Sequence, residues 1–328
     1  MQELDALLEP PKPAPASRVD DTLADVRAVT SGAAATIWGL VMSCRPEQWT
    51  KNLVVFAGII FGRRLFDPAA LVATGAAFGI FCGLSASVYL LNDVMDRKSD
   101  RLHPVKSRRP IAAGVVNVPL ALLASAAMAA ASLAASFWLQ PLFGVVAAGY
   151  LALFALYSGP FKHVVIVDVL SIAIGFVLRA VGGAVAIPVP ISQWLLVCTI
   201  LLALLLGLSK RRHELVLLAN SATNHRPILA EYSPYLLDQM ISVVTASVVT
   251  AYIFYATSPE TAQKFDTPLL GLTIPFPLYG IFRYLYLVHQ KKEGGNPSAM
   301  LLNDRPLLMC VVLWVATVVA IIYHPFTG

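Results

Sequence analysis

The stretch Leu91-Asn92-Asp93-Val94-Met95-Asp96-Arg97-Lys98-Ser99-Asp100 follows directly on an apolar run that begins near Leu71. Three carboxylates therefore stand at the end of a segment long enough to cross a bilayer, which takes about 20 apolar residues. If the helix continues through Asp100, spacings of three, four and seven put Asp93, Asp96 and Asp100 on one face. Like charges on one face repel, so a cation must offset them. A divalent ion is one solution, because Mg2+ takes one or two carboxylates and fills its shell with water and phosphate oxygens. A solvated acidic helix end, paired with Arg97, Lys98 and Arg101, is the other.

The rest of the chain fits a membrane setting. Of 328 residues, 57% are hydrophobic and 13% charged, whereas a soluble domain carries about a quarter charged residues. Mean hydropathy is +0.70. These values exclude a soluble enzyme and predict an all-α, polytopic membrane protein of about nine transmembrane helices. The expected spans lie near 50–63, 69–95, 118–138, 142–158, 164–187, 192–210, 235–257, 267–288 and 305–323, the first and fourth being short for a full crossing. Residues 1–24, with Pro10-Pro11-Lys12-Pro13 and mixed charges, read as a disordered tail; residues 25–328 read as a single transmembrane helical catalytic domain. No basic region followed by an apolar one opens the chain, so no signal peptide is expected. Cys44, Cys82, Cys198 and Cys310 form no CxxC pair and read as packing residues.

The longer polar loops carry the cations: Arg97, Lys98, Arg101, Lys106, Arg108 and Arg109 in the second, Lys162 in the fourth, Lys210, Arg211, Arg212 and Arg226 in the sixth, Lys291 and Lys292 in the eighth. The opposite loops offer Arg63, Arg64 and Lys264. The positive-inside rule puts the even-numbered loops, and the aspartates with them, on the cytoplasmic side of a bacterial-type plasma membrane.

Three further groups bear on chemistry. Lys106 and Arg109 follow the acidic stretch closely; metal on one side and guanidinium forks on the other would suit a diphosphate, while a lipid-headgroup anchor is the plainer reading. Asp168 and Arg179 are eleven residues apart, which leaves about 20° between them on a helix, so they share a face. Ionisable residues inside a membrane segment usually face an interior cavity. We expect Asp168 as a second metal or substrate ligand with Arg179 as its partner or an anion contact, against a purely structural ion pair. Lys210-Arg211-Arg212-His213-Glu214 ends the sixth span; Lys210 and Glu214 can pair locally, and the cluster reads as a phosphate site or a topology anchor. Lys51 is placed to reach a lipid phosphate or simply to snorkel. His103, His163, His213 and His225 show no metal-ligand spacing.

Taken together, Asn92-Asp93-xx-Asp96-xxx-Asp100, with Tyr157, Lys162 and Asp168 ahead of the fifth span, resembles the UbiA superfamily of intramembrane prenyltransferases. Arg45-Pro46-xx-Trp49-x-Lys51-Asn52, His103-Pro104-x-Lys106-xx-Arg109-Pro110, Lys210-Arg211-xx-Glu214 and Asp304-Arg305 are similar to its decaprenyl-phosphate phosphoribosyltransferase branch. The likeness runs from about Arg45 to the C-terminus. It implies a UbiA-like bundle that transfers 5-phosphoribose from phosphoribosyl diphosphate to a polyprenyl phosphate as a step towards lipid-linked arabinose donors of the cell envelope. It also implies Mg2+ on Asn92, Asp93, Asp96 and Asp100, catalytic roles for those aspartates and Asp168, and substrate contacts from Lys51, Asn92, Lys106, Arg109, Tyr157, Lys162, Arg179, Lys210, Arg211 and Glu214. Membrane lipids are the expected surroundings, nucleic acid is not an expected partner, and a homo-oligomer is left open. The second motif departs from the DxxxD of many prenyltransferases, since Ile172 follows Asp168. A prenyltransferase acting on an aromatic acceptor is the rival enzyme, and a lipid-carrier transporter the rival that is not an enzyme.

Overall fold

The computed structural model describes residues 32–103, 105–217, 227–291, 295 and 297–323. The expected tail (1–24), Arg226, His225 and Lys292 lie outside the described residues. Every element in them is helical, as a hydrocarbon setting requires, because backbone N–H and C=O groups there have no water to satisfy them. In order these are α1 (Ala33–Ser43), a 3-10 segment (Pro46–Phe56), α2 (Ala57–Phe61), α3 (Pro68–Met95), α4 (Arg97–Leu102), α5 (Pro110–Ala113), α6 (Val118–Leu139) and α7 (Pro141–Ser158). Then follow α8 (Val167–Ala186), α9 (Gln193–Leu217), α10 (Pro234–Thr257), α11 (Pro259–Phe265), α12 (Pro275–His289), α13 (Pro297–Asn303) and α14 (Arg305–Tyr323).

The spanning helices start where the local sequence allows. Asp67, Asn117, Gln140 and Ser233 cap the free N–H groups of α3, α6, α7 and α10, each with proline in the first turn, where its missing N–H costs nothing. Seven helices, α3, α6, α7, α8, α9, α10 and α14, are long and apolar enough to cross a membrane. The other two expected spans are divided, so among the described residues the count of about nine spanning helices is not confirmed. The first becomes the 3-10 segment followed by five-residue α2. The eighth becomes a 3-10 turn at Leu269–Thr273 and then α12, with Pro275 unable to continue a helix from the preceding turn.

The first division has a packing cause. The 3-10 segment and α2 lie backbone to backbone against α8: a Cβ on Gly183 would stand 2.0 Å from the Val55 carbonyl oxygen, and one on Gly58 would stand 2.8 Å from the Ala184 nitrogen. A tighter winding fits that gap. Helix α8 is the most buried of the seven, packing on the 3-10 segment, α2, α3, α7 and α9. It joins two cores, one around Phe81, Leu84, Phe143 and Tyr150, the other around Leu205, Leu237, Ile281 and Leu287. Outward apolar side chains such as Trp38, Val72, Leu123 and Trp138 are exposed, as lipid-facing positions should be. Because successive spans run in opposite directions, the C-termini of α3, α7 and α9 meet the N-terminus of α8 at one end of the bundle.

Candidate active site

That end gathers the acidic stretch. Helix α3 does not run on to Asp100, as expected, but breaks at Asp96 (φ −86°, ψ 2°) before α4; this bridge conformation recurs at active-site residues. Asp93 and Asp100 are both buried and still converge: Arg109 Nη1 donates to Asp93 Oδ1 at 3.2 Å and to Asp100 Oδ2 at 2.7 Å. Arg45 also donates to Asp93 Oδ1. Asp96 turns the other way and accepts from Lys162 Nζ at 2.8 Å. Asn92 Oδ1 accepts from the Ser158 hydroxyl. The like charges are thus offset by Arg109 from the following loop and by Arg45 and Lys162 from distant segments, rather than by Arg97 and Arg101. Those two donate to the carbonyls of Ile111 (3.2 Å) and Ala112 (2.9 Å) and tie down the loop carrying Arg109. His103 Nδ1 accepts from the backbone N–H of Val105 and Lys106, so it shapes the turn that presents Lys106. Arg45 itself sits at φ 52°, a left-handed conformation that costs a non-glycine residue free energy and clusters at functional sites.

A second group lies across the bundle. Asp168 is fully buried; its Oδ2 accepts from Arg211 Nε at 2.7 Å and its Oδ1 from the Tyr232 hydroxyl at 2.9 Å. Arg211 Nη1 donates to Glu214 Oε2 at 2.7 Å, and Lys210 Nζ stands 4.0 Å from Glu214 Oε1. Burial, followed by the neighbouring Asp168 charge, pushes the Tyr232 phenol up to about 12, so it stays protonated and donates, while its oxygen accepts from the Ile166 N–H at 2.7 Å. Tyr157 packs its ring against Phe154 at 5.9 Å, on the helix that ends with Ser158.

The expected pairing of Asp168 with Arg179 is corrected. Eleven residues at about 1.5 Å each separate them by roughly 16 Å along α8, so sharing a face is not being in reach. Arg179 instead donates through Nε to Asn52 Oδ1 (2.6 Å), through Nη1 to the Gly175 carbonyl (2.9 Å), and through Nη2 to the hydroxyls of Tyr150 (2.6 Å) and Ser85 (3.3 Å). Lys51 is within electrostatic reach of Arg45, Arg179 and Lys210. Residue-by-residue reading did not single out Arg45, Ser158 or Tyr232 as site residues, nor the Asn52–Ser85–Tyr150 set. For Arg45, the cation next to Trp49 at a membrane entry was the available signal; Tyr232 had none, because its role depends on a loop returning to α8.

The donors around Asp93 are hard oxygens, two carboxylates sharing one guanidinium, beside the Asn92 amide. Among the described residues no three His, Cys, Asp or Glu side chains gather closely enough to enclose a metal. Such a set fits a Mg2+ that completes its shell from water and a diphosphate, and does not fit a closed structural site.

Fold and site together define a multi-pass membrane protein with an interleaved carboxylate and cation cluster at one end of its bundle. The chain belongs to the UbiA prenyltransferase family, which matches residues 52–304, and so to a family of enzymes. A decaprenyl-phosphate phosphoribosyltransferase of Mycolicibacterium smegmatis is 34% identical, over 87% of this chain and 92% of its own. One of Corynebacterium glutamicum is 30% identical, covering 87% of each. Among solved structures, a UbiA homolog from Archaeoglobus fulgidus bound to GPP and Mg2+ superposes with TM-score 0.66 at 20% identity, over 87% of this chain and 99% of its own; at that identity it speaks for the fold alone.

Proposed function

We propose that this protein transfers 5-phosphoribose from phosphoribosyl diphosphate to a polyprenyl phosphate of decaprenyl type, on the cytoplasmic side of a bacterial plasma membrane. The product would be a lipid-linked phosphoribose, a precursor of arabinose donors for envelope glycans. The observation that carries this reading is the interleaving at Asp93, Asp96 and Asp100 of carboxylates with partly exposed cations, Arg45, Arg109 and Lys162. The relatives named above support the choice of substrates. Asn92, Asp93 and Asp100, with Asp96 once Lys162 releases it, would hold Mg2+, which would supply positive charge against the departing diphosphate. Arg109, Lys162 and Lys106 then turn from the carboxylates and the loop towards phosphate oxygens, as guanidinium and ammonium groups do when a stronger anion is offered. The bond from ribose C1 to the diphosphate oxygen breaks, and a bond from C1 to an oxygen of the acceptor phosphate forms. No strong base is needed, since that phosphate is already an anion. Arg211 keeps a fixed positive charge beside the site through Asp168 and Glu214, and Tyr157 and Lys210 line the same end.

The test is incubation of the purified protein with radiolabelled phosphoribosyl diphosphate, polyprenyl phosphate and Mg2+, with geranyl diphosphate and an aromatic acceptor as a parallel arm. Labelled lipid is expected in the first arm, with Asp93→Asn and Asp96→Asn each lowering the rate roughly 100-fold or more. Turnover confined to the second arm overturns the reading.

A further inference from the structure

The outer wall of the bundle is grooved where α10 and α12 run side by side. A cavity of about 410 Å3 opens there, lined by Ile241, Thr245 and Val249 of α10 and by Phe282, Leu285 and His289 of α12. That volume falls in the range of small-molecule sites. Phe282 is 59% exposed, and Val243 next to the groove is 64% exposed, so the opening faces lipid and not the core. From Ile241 to Val249 the wall runs eight residues along the helix, about 12 Å by helix rise.

Two features separate this groove from an ordinary lipid-facing surface. The first is a charged mouth at the active end of the bundle, where α9 and α12 end and α10 begins. Arg212 donates through Nε to Asp238 Oδ1 and through Nη2 to Asp238 Oδ2 at 3.3 Å, and His289 Nδ1 stands 4.0 Å from the same carboxylate. The pair is partly open, with side chains 20% and 37% exposed, and it engages two of the five guanidinium N–H groups. The second feature is Thr245, whose buried hydroxyl has no hydrogen-bond partner among the described residues. Thr199, Ser247 and Thr257 each donate to the carbonyl four residues back, the usual way a helix satisfies such a group. Thr245 does not, and an unpaired buried hydroxyl is costly. It lies seven residues past Asp238, about 10 Å deeper.

An apolar groove with a cation and a carboxylate side by side at its mouth, and an unpartnered hydroxyl farther in, is complementary to one kind of amphiphile. We infer that it holds a single aminophospholipid of the surrounding bilayer, with phosphatidylethanolamine as the type. The phosphate rests on Arg212 and the ammonium on Asp238. A glycerol ester carbonyl accepts from Thr245, and an acyl chain follows Ile241, Val249, Phe282 and Leu285 inward. An anionic phospholipid lacks the ammonium and would set its charge against Asp238. The groove is separate from the cluster at Asp93, and the inference does not rest on the proposed transfer.

The full-length protein, stripped of lipid in detergent, is titrated with phosphatidylethanolamine and with phosphatidylglycerol, and bound lipid is counted by native mass spectrometry. One phosphatidylethanolamine is expected at concentrations where phosphatidylglycerol leaves the protein bare. Its affinity should fall about tenfold or more in Arg212→Gln, which removes a charged donor. Ala246→Trp, at an exposed position on the groove wall, should abolish binding, whereas Val243→Trp, which faces lipid outside the groove, should retain it. Since Arg212→Gln strips Asp238 of its partner and can unsettle the fold, Ala246→Trp carries the decision, with its thermal midpoint compared with that of Val243→Trp in the lipid-free state. Equal binding in the two tryptophan variants overturns the site. Phosphatidylglycerol bound as tightly as phosphatidylethanolamine overturns the aminophospholipid. Polyprenyl phosphate that displaces phosphatidylethanolamine and is itself lost in Ala246→Trp makes the groove an acceptor path and overturns it too. With no sugar donor or metal added, none of these outcomes depends on whether the protein transfers phosphoribose.

Discussion

Arg211 and the cations around Asp93 look alike as ion-pair partners and differ in whether they can let go. The side chains of Arg45, Arg109 and Lys162 are 25%, 29% and 18% exposed, so each can swing to an arriving anion. Arg211 is 2% exposed, Asp168 is 0% exposed, and two of the guanidinium nitrogens are committed to Asp168 and Glu214. Asp168 is therefore better placed as the counter-ion of Arg211 than as a second metal ligand. Breaking a buried pair by removing one partner costs about 3–5 kcal/mol, so Asp168→Asn is expected to lower the thermal midpoint sharply while leaving Mn2+ affinity, read by electron paramagnetic resonance, as in the wild type. Lost Mn2+ binding with an unchanged midpoint would return Asp168 to the metal. The identities of Asp93, Asp96, Asp100 and Asp168 were legible in the chain, because carboxylates at membrane-helix ends need an explanation. Their partners were not, because Arg45, Lys162 and Arg211 arrive from segments more than forty residues away in sequence, while Arg109, nine residues past Asp100, reaches two carboxylates only through the fold of its loop.

At the scale of elements, two departures from regular helix shape the site. The break at Asp96 sends its carboxylate to Lys162 while Asp93 and Asp100 stay on Arg109. The 3-10 winding of Pro46–Phe56 carries Lys51 and Asn52 against α8, in contact so close that Gly183 has no room for a Cβ. Since the obstacle is the Val55 backbone, Gly183→Ala must push the segment away, an overpacking that costs about 1–3 kcal/mol. The expected outcome is a lower thermal midpoint together with a raised substrate KM, whereas Gly75→Ala, where nothing lies within 4 Å, should leave both unchanged. Apolar length sufficed to find α3, α6, α7, α8, α10 and α14 within a few residues, while α9 runs seven residues beyond the expected 210, carrying Lys210, Arg211 and Glu214 on its last turns. It misjudged Pro46–Phe61, because an apolar run has the same composition whether it winds as an α-helix or is flattened against a neighbour.

For the molecule as a whole, charge sets orientation. Two of the three cations of the opposite loops are matched by carboxylates, Arg63 with Asp266 at 2.9 Å and Arg64 with Asp67, and the Arg64 bond holds the Asp67 carboxyl below its usual range; Lys264 lies over the Phe265 ring. The larger share of positive charge stays at the active end, which the positive-inside rule predicts to face the cytoplasm. Accordingly, a cysteine at exposed Ser99 is expected to react with a membrane-impermeant maleimide in inverted vesicles and not in right-side-out ones, and one at exposed Gln263 to do the reverse; the opposite pattern would put the chemistry outside the cell. The sequence by itself determined that this chain lives in a bilayer, where seven of its spanning helices lie, which end bears the acids and which family it resembles, since hydropathy and charge spacing act locally along the chain. Only the tertiary structure decided which cation meets which carboxylate, that Asp168 belongs to Arg211 and not to Arg179, and that Arg179 is held by neutral partners, Asn52, Gly175, Ser85 and Tyr150. Those outcomes depend on the packing of α8 against the 3-10 segment, α2, α3, α7 and α9, and the energy of a charge inside a membrane is set by its neighbours in space.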